Sequence, residues 1–308
     1  MTEAARDGLR ARLAERLPPR WRTRFAPAPT GYLHLGHAVN AVYVWSVARA
    51  FGGEVVLRIE NHDRQRSRVE YERAILADLA WLGLTWDNPV VGQPDPIRQS
   101  DRTEAYARAL GVLVQSDRVY ACRCSRREIA SHGASSGELR YPGTCHAANV
   151  SHDETPARRL WLPDTAVRFD DLRHGPVTQV PSEQCGDLLL RDRLGQWTYQ
   201  FAVVCDDIEF GTDVIIRGDD LLASTGRQML LHEQLGRVAS PLVLHHPLVL
   251  HPDGKKLSKS SGDTALHELR AIGWTPEQVL GHAAWRGGLQ GSPAEMSAPD
   301  LASLWHLP

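Results

Sequence analysis

Short apolar runs of strand length alternate with longer stretches of helical spacing along most of this chain. Residues 24–31, Arg-Phe-Ala-Pro-Ala-Pro-Thr-Gly, read as a short strand leaving into a Pro/Gly loop. Val39, Val42, Tyr43, Ser46, Val47 and Ala50 then carry a helical period that stops at Gly52-Gly53. The continuous run Val-Val-Leu-Arg-Ile at 55–59 reads as a buried strand, and the helix expected over 69–82 ends at Gly83. Strand, helix, strand, helix in this order predicts a parallel sheet with right-handed crossovers. From about 120 to 190 the helical period gives way to short strands, turns and cysteines, as in an inserted subdomain. The parallel pattern then resumes with a helix over 200–208, a strand over 213–216, a helix over 222–235 ending at Gly236, and a strand over 248–250 before Pro252-Asp253-Gly254. The expected fold is therefore α/β, a doubly wound parallel sheet split by a small insertion. Its parts are an N-terminal extension (1–20), a first half (21–119), the insertion (120–190), a second half (191–262) and a short helical C-terminal segment (263–308).

Composition narrows the class without naming a chemistry. At 308 residues and 42% hydrophobic, the chain can bury a sizeable core in one or two domains, which excludes disorder as its main state. No window approaches the ~20 uninterrupted apolar residues of a membrane span. Residues 1–24 are charged throughout, with no apolar stretch for a secretory signal, so a cytoplasmic protein is expected. Five cysteines, an odd count, point in a reducing compartment to thiols or metal ligands rather than a disulfide framework. The 35 Lys and Arg nearly balance the 37 Asp and Glu, so bulk electrostatic binding of nucleic acid is excluded and a polynucleotide partner has to be met by a local patch.

Candidate chemistry sits at two turns and in the insertion. Residues 29–37, Pro-Thr-Gly-Tyr-Leu-His-Leu-Gly-His, place His34 and His37 three apart around Gly36 at the start of a helix, where the helix N-terminus and a close backbone approach suit a phosphate. Taken alone, the pair is weak evidence, since most such pairs are surface or structural. Residues 255–260, Lys-Lys-Leu-Ser-Lys-Ser, follow a Pro-Asp-Gly turn; their lysines could neutralise a triphosphate as pyrophosphate departs, or form a solvated charge run. In the insertion, Cys122-Arg-Cys124 on a strand would turn both thiols to one face, and Cys145 could add a third ligand from a turn; three thiolates favour zinc. For the fourth ligand the residues alone favour His146 or His132. Cys185 and Cys205, beside apolar positions, read as buried thiols.

The histidine and lysine motifs, in this order at opposite ends of a split sheet, resemble the two signatures of class I aminoacyl-tRNA synthetases. Arg24-Phe-Ala-Pro-Ala-Pro-Thr-Gly-Tyr-Leu-His-Leu-Gly36, Leu57-Arg-Ile-Glu60, Tyr199-Gln-Phe-Ala-Val-Val-Cys-Asp-Asp207 and Arg217-Gly-Asp-Asp-Leu-Leu222 resemble the glutamyl-tRNA synthetase catalytic domain over roughly 22–273. Those enzymes continue into a large helical anticodon-binding region, whereas this chain stops soon after the lysine motif. In that it is similar to the glutamyl-queuosine tRNA(Asp) synthetases, stand-alone paralogues of the catalytic domain.

The resemblance implies a Rossmann-like catalytic fold that activates L-glutamate with ATP and Mg2+, without tRNA, and transfers it to queuosine in the anticodon loop of tRNA(Asp). It implies catalytic roles for His34, His37, Lys256 and Lys259, with His34, His37 and Lys259 on ATP. It implies a glutamate pocket of Arg24, Phe25, Ala26, Pro27, Ala28, Glu60, Tyr199 and Arg217, and one structural zinc on Cys122, Cys124, Tyr141 and Cys145. A monomer with no membrane partner is expected. The substrate carboxylate itself attacks the α-phosphorus, so catalysis is positioning and charge stabilisation. Glu60-Asn-His-Asp63 departs from the usual Glu-Asp-x-Asp, and Leu257 replaces the commonest methionine at little change in volume. Asp206-Asp207 and Asp219-Asp220 read as structural. Three competing readings are a short glutamyl-tRNA synthetase charging a 3′ end, a small-molecule nucleotidyltransferase, and a non-catalytic paralogue. The missing anticodon region, the glutamate-pocket positions and the intact motifs count against them in turn.

Overall fold

The first twenty residues contribute Leu9 and Leu13 to the core. Helix α1 (Glu3–Arg16), capped by the Thr2 hydroxyl, buries Leu9 and Leu13 completely, while Arg6 and Arg12 donate to the carbonyls of Leu289 and Leu172. Strand β1 (Trp21–Phe25), helix α2 (Leu35–Ala50), strand β2 (Gly53–Ile59), helix α3 (Val69–Trp81) and strand β3 (Ile97–Arg98) follow, and the three strands pair in parallel in the order β1-β2-β3. The computed structural model describes residues 1–87, 96–131, 134–135, 138–249 and 264–306.

The next stretch of chain divides between two sheets. Helix α4 (Thr103–Val114) leads to β4 (Val119–Ala121), α5 (Arg126–Ala130), the β5 (Ala134–Ser135) and β6 (Glu138–Leu139) pair, α6 (Thr144–Ala147) and β7 (Arg158–Leu160). Strands β8 (Val167–Asp171) and β9 (Gly175–Gln179) form a hairpin, followed by α7 (Pro181–Cys185) and β10 (Leu188–Arg191). Strands β10, β7 and β4 make an antiparallel sheet in that order, while the β8–β9 hairpin joins the main sheet.

The second half supplies α8 (Tyr199–Glu209), β11 (Val214–Gly218), α9 (Thr225–Gln234), β12 (Leu242–His246), α10 (Leu266–Ala271) and α11 (Pro276–Arg286). The sheet order is β11-β12-β8-β9, parallel from β11 to β8, and the Asp213 N–H donates to the Arg22 carbonyl where β11 meets β1. One expectation needs correction. The last parallel strand is Leu242–His246, not 248–250: Leu248 and Val249 are outside any strand and Leu250 lies outside the described residues. The run Leu-Val-Leu-His-His pairs in full register with β11, and Pro247, which has no N–H to donate, ends it.

Helix α2 is apolar over most of its surface and correspondingly buried at Ala38, Val39 and from Ala41 to Ala48, with Asn40 alone in that span half-buried. Sheet strands cover one flank. The C-terminal segment covers another, with Tyr43 donating to the Gly287 carbonyl and the Trp305 indole to Ser46. Among the described residues no helix is long and apolar enough to cross a membrane.

Candidate active site and cysteine cluster

The C-terminal ends of β1, β2, β11 and β12 open onto a cavity of about 630 Å³, the place where open α/β sheets bind ligands. All eight positions expected around an amino acid line it: Arg24 to Ala28 leaving β1, Glu60 after β2, Tyr199 opening α8, and Arg217 on β11. His34 and His37 line the same cavity. The Glu60 N–H donates to the Pro27 carbonyl (3.0 Å), which ties the wall formed by 24–28 to the Glu60 carboxylate. Burial, and next the Glu60 carboxylate, push the Tyr199 phenol up to about 12, so it faces the cavity as a neutral hydroxyl.

The two cavity arginines are held by different chemistry. Arg24 donates to Asp207 Oδ1 (3.2 Å), and Arg58, fully buried on β2, donates to the same oxygen (2.7 Å) and to Glu60 Oε1 (3.0 Å). Burial alone would raise the Asp207 carboxyl, but the Arg24 and Arg58 guanidinia outweigh it and hold it far below the usual range. Its neighbour Asp206 accepts from Arg102, Gln99 and Tyr106; there burial prevails and the carboxyl is raised. The Asp206-Asp207 pair thus anchors arginines. Arg217 instead donates to His245 Nε2 (2.9 Å), Gln228 Oε1 (2.6 Å) and the Thr225 hydroxyl (2.8 Å), all neutral partners.

His34 is the N-cap of α2, and the two histidines cap each other's turn: the Gly36 N–H donates to His34 Nδ1 (3.1 Å) and the His34 N–H to His37 Nδ1 (3.1 Å). With both Nδ1 atoms accepting, each neutral ring carries its proton on Nε2 and presents it as a donor. A side chain at Gly36 would meet the His34 ring at 2.9 Å, so glycine here makes room for the cap itself. Ala265 bridges to His34, and the Leu266 N–H donates to the Leu33 carbonyl; Val249 lies on the cavity wall. The chain between Val249 and Ala265, which includes Lys256 and Lys259, thus begins at the cavity wall and ends beside the histidines. Lys256 and Lys259 themselves lie outside the described residues.

In the insertion, the metal-ligating atoms of Cys122, Cys124 and Cys145 lie within 4.8 Å of one another. The two nearer cysteines are not on a strand, as expected from Cys-x-Cys, but in the loop between β4 and α5, because β4 stops at Ala121. The Tyr141 hydroxyl stands 3.5 Å from Cys122 Sγ and 3.9 Å from Cys124 Sγ, and accepts the Cys145 N–H at 2.8 Å. His146 is not in this group; its ring rests on Tyr120, and His132 lies outside the described residues. Burial opposes ionisation of Cys145, but hydrogen bonds from Tyr141 and the backbone at Arg123 bring its thiol down to about 7. Arg159 covers the Tyr141 ring and donates to Cys122 Sγ (3.2 Å). At about 2.3 Å per Zn–S bond, tetrahedral sulfurs stand roughly 3.8 Å apart, close to the 3.3 Å between Cys124 and Cys145, so the set fits a soft divalent cation. Gly186, at φ +67, lets the chain pass close against the Tyr141 backbone: a side chain there would meet the Tyr141 carbonyl oxygen at 2.0 Å. A second cavity, about 870 Å³, runs along this cluster and shares the Tyr199 wall with the first.

Sequence reasoning missed the supports Arg58, Gln228 and His245, Asp171 that bonds the His245 ring (2.7 Å), and Asn40 on the cavity wall. A charged residue inside a buried run, as in Val-Val-Leu-Arg-Ile, is the signal that could have found Arg58. The two histidines ending β12 carried a similar one. Cys185 and Cys205 are buried thiols.

Comparison with known proteins agrees with this geometry. Residues 20–296 match the family model "tRNA synthetases class I (E and Q), catalytic domain". A glutamyl-Q tRNA(Asp) synthetase of Symbiobacterium thermophilum is 43% identical, the match covering 92% of each chain. A glutamate–tRNA ligase of Oleidesulfovibrio alaskensis is 38% identical over 91% of this chain, which spans 60% of that protein. The crystal structure of a glutamate tRNA ligase from Elizabethkingia meningosepticum in complex with its amino acid superposes with a TM-score of 0.75 at 27% identity, covering 92% of this chain and 64% of that one. Fold, cavity position and a family match over most of the length converge, and the chain belongs to the class I tRNA synthetases for glutamate and glutamine, of which it carries the catalytic domain.

Proposed function

We propose that the chain activates L-glutamate with ATP in the absence of tRNA and transfers the glutamyl group to queuosine in the anticodon loop of tRNA(Asp). The observation that carries the reading is the single cavity in which Arg24, Glu60, Tyr199 and Arg217 meet His34 and His37. Two guanidinia match the two substrate carboxylates, and Glu60 with Tyr199 matches the ammonium. The carboxylate oxygen attacks the α-phosphorus, displacing pyrophosphate and leaving a mixed anhydride. The Nε2–H groups of His34 and His37 donate to the phosphates, and Lys256 and Lys259 neutralise the departing pyrophosphate. Mg2+ accompanies ATP as part of the substrate. The queuosine hydroxyl then attacks the anhydride carbonyl, with the phosphate leaving group as the base.

The choice of acceptor is supported by two relatives named glutamyl-Q tRNA(Asp) synthetase, 43% and 41% identical over 92% and 87% of this chain. The second cavity offers the acceptor an approach past Tyr199. In the insertion, Cys122, Cys124, Tyr141 and Cys145 would hold one structural zinc, which fixes the loop after β4 against α6. The reading takes the protein as a cytoplasmic monomer and the insertion as spanning 120–190. Labelled glutamate followed onto tRNA(Asp) with and without queuosine tests it. Label that requires queuosine and survives removal of the 3′ adenosine is expected; label on the 3′ end of tRNA(Glu) would overturn the acceptor.

A further inference from the structure

Arg217 is a buried cation whose hydrogen bonds among the described residues go to neutral groups, and those groups are themselves held. On β8, Asp171 Oδ2 accepts both the backbone N–H of His245 (3.1 Å) and its ring Nδ1–H (2.7 Å), while Oδ1 accepts the backbone N–H groups of Arg173 and His174. The carboxylate is thus saturated and locked. It fixes the proton of His245 on Nδ1, which leaves Nε2 as a lone pair aimed at Arg217 Nε–H. Of the five guanidinium N–H donors, three are committed to His245, Gln228 and Thr225, which leaves one on each terminal nitrogen for a ligand. Arg24, by contrast, already leans on Asp207.

We propose that Asp171 and His245 are positioning residues for substrate binding: the relay Asp171–His245–Arg217 sets the plane of the Arg217 guanidinium so that its outer N–H pair meets a carboxylate of the amino-acid substrate. This rests on reading the cavity as the glutamate site. The relay keeps the full positive charge for the ligand, because a neutral acceptor orients the guanidinium without compensating it. An acidic residue in place of His245 would orient it equally well and spend the charge.

The test compares two near-isosteric variants by calorimetric titration with L-glutamate and by ATP–pyrophosphate exchange, both without RNA. H245N reaches Asp171 but not Arg217; H245Q restores an acceptor facing Arg217. Loss of a hydrogen bond to a charged group predicts that H245N weakens glutamate binding and raises the KM for glutamate by on the order of tenfold or more. The KM for ATP does not follow, and H245Q, which keeps the acceptor but not the Asp171 bond, recovers only part of the loss. Glutamate affinity within twofold of wild type in H245N, or equal losses for glutamate and ATP, overturns the relay. Should H245N not fold, T225V, which removes the hydroxyl shared by Arg217 and His245, carries the same expectation. A wild-type protein that binds glutamate but does not exchange pyrophosphate breaks the proposed reaction alone; one without glutamate affinity breaks both.

Discussion

The substrate cavity and the cysteine cluster are both lined by buried polar side chains, yet they are neutralised in different ways. Around the cavity the fold supplies its own counter-charges: Asp207 is shared by Arg24 and Arg58, Glu60 takes a second Arg58 N–H, and Asp206 is held by Arg102. In the cluster, three thiols crowd around one phenol beneath Arg159, a donor set that a metal ion would complete. The first region should keep its shape with nothing bound. The second should not.

The sharpest way to break this contrast is to remove the shared anion of the cavity. D207A strands Arg24 and Arg58, and deleting one partner of a buried pair costs about 3–5 kcal/mol; chemical denaturation should show a loss of that size together with loss of exchange activity. R217A should separate fold from function. Its partners are uncharged, so the unfolding midpoint should stay near that of wild type, while kcat/KM for glutamate falls by roughly two to three orders of magnitude for want of a desolvated charge partner.

Metal removal probes the other side. A strong chelator should release one zinc per chain, lower the unfolding midpoint, and open the insertion to proteolysis between Cys122 and Arg158 while the parallel sheet stays protected. C145S should hold no zinc from the start. A metal-free protein with an equally protected insertion would end the zinc assignment.

The smallest effect concerns Asp78, a buried carboxylate with no arginine hydrogen-bonded to it among the described residues. Its Oδ2 is without a hydrogen-bond partner among the described residues, and burial raises its carboxyl to about 6 against the pull of His267 and Arg270. A folded-state value above the unfolded one means that stability from this group is fully present below about pH 4 and lost as pH rises through about 6. D78N should therefore raise the thermal midpoint by a few degrees at pH 8 and hardly at all at pH 4.5.

Local periodicity made β1, β2, α2, α3 and α8 legible in the sequence, because each carries its own apolar pattern with a glycine or proline stop. β12 was obscured because Leu248-Val-Leu250 is as apolar as Leu242-Val-Leu-His-His246, and only pairing with β11 decides between them. Burial of α1 depends on Leu9 and Leu13 meeting a distant part of the chain, which a charged N-terminus hides. Within the cavity, Arg24 and Arg217 look like ordinary strand-end arginines one at a time; the resemblance grouped them, and the sheet brings them together. Their supports are contributed by α8, α9 and β8, 8 to 183 positions away in the chain, and no local pattern encodes such pairs.

Exchange of labelled pyrophosphate into ATP, run with L-glutamate and no RNA, tests the central claim most directly. Glutamate-dependent exchange by the wild-type protein, lost in R217A at equal folded fraction, is the predicted result. Exchange that appears only when tRNA is added, or that runs equally fast without glutamate, would contradict the account.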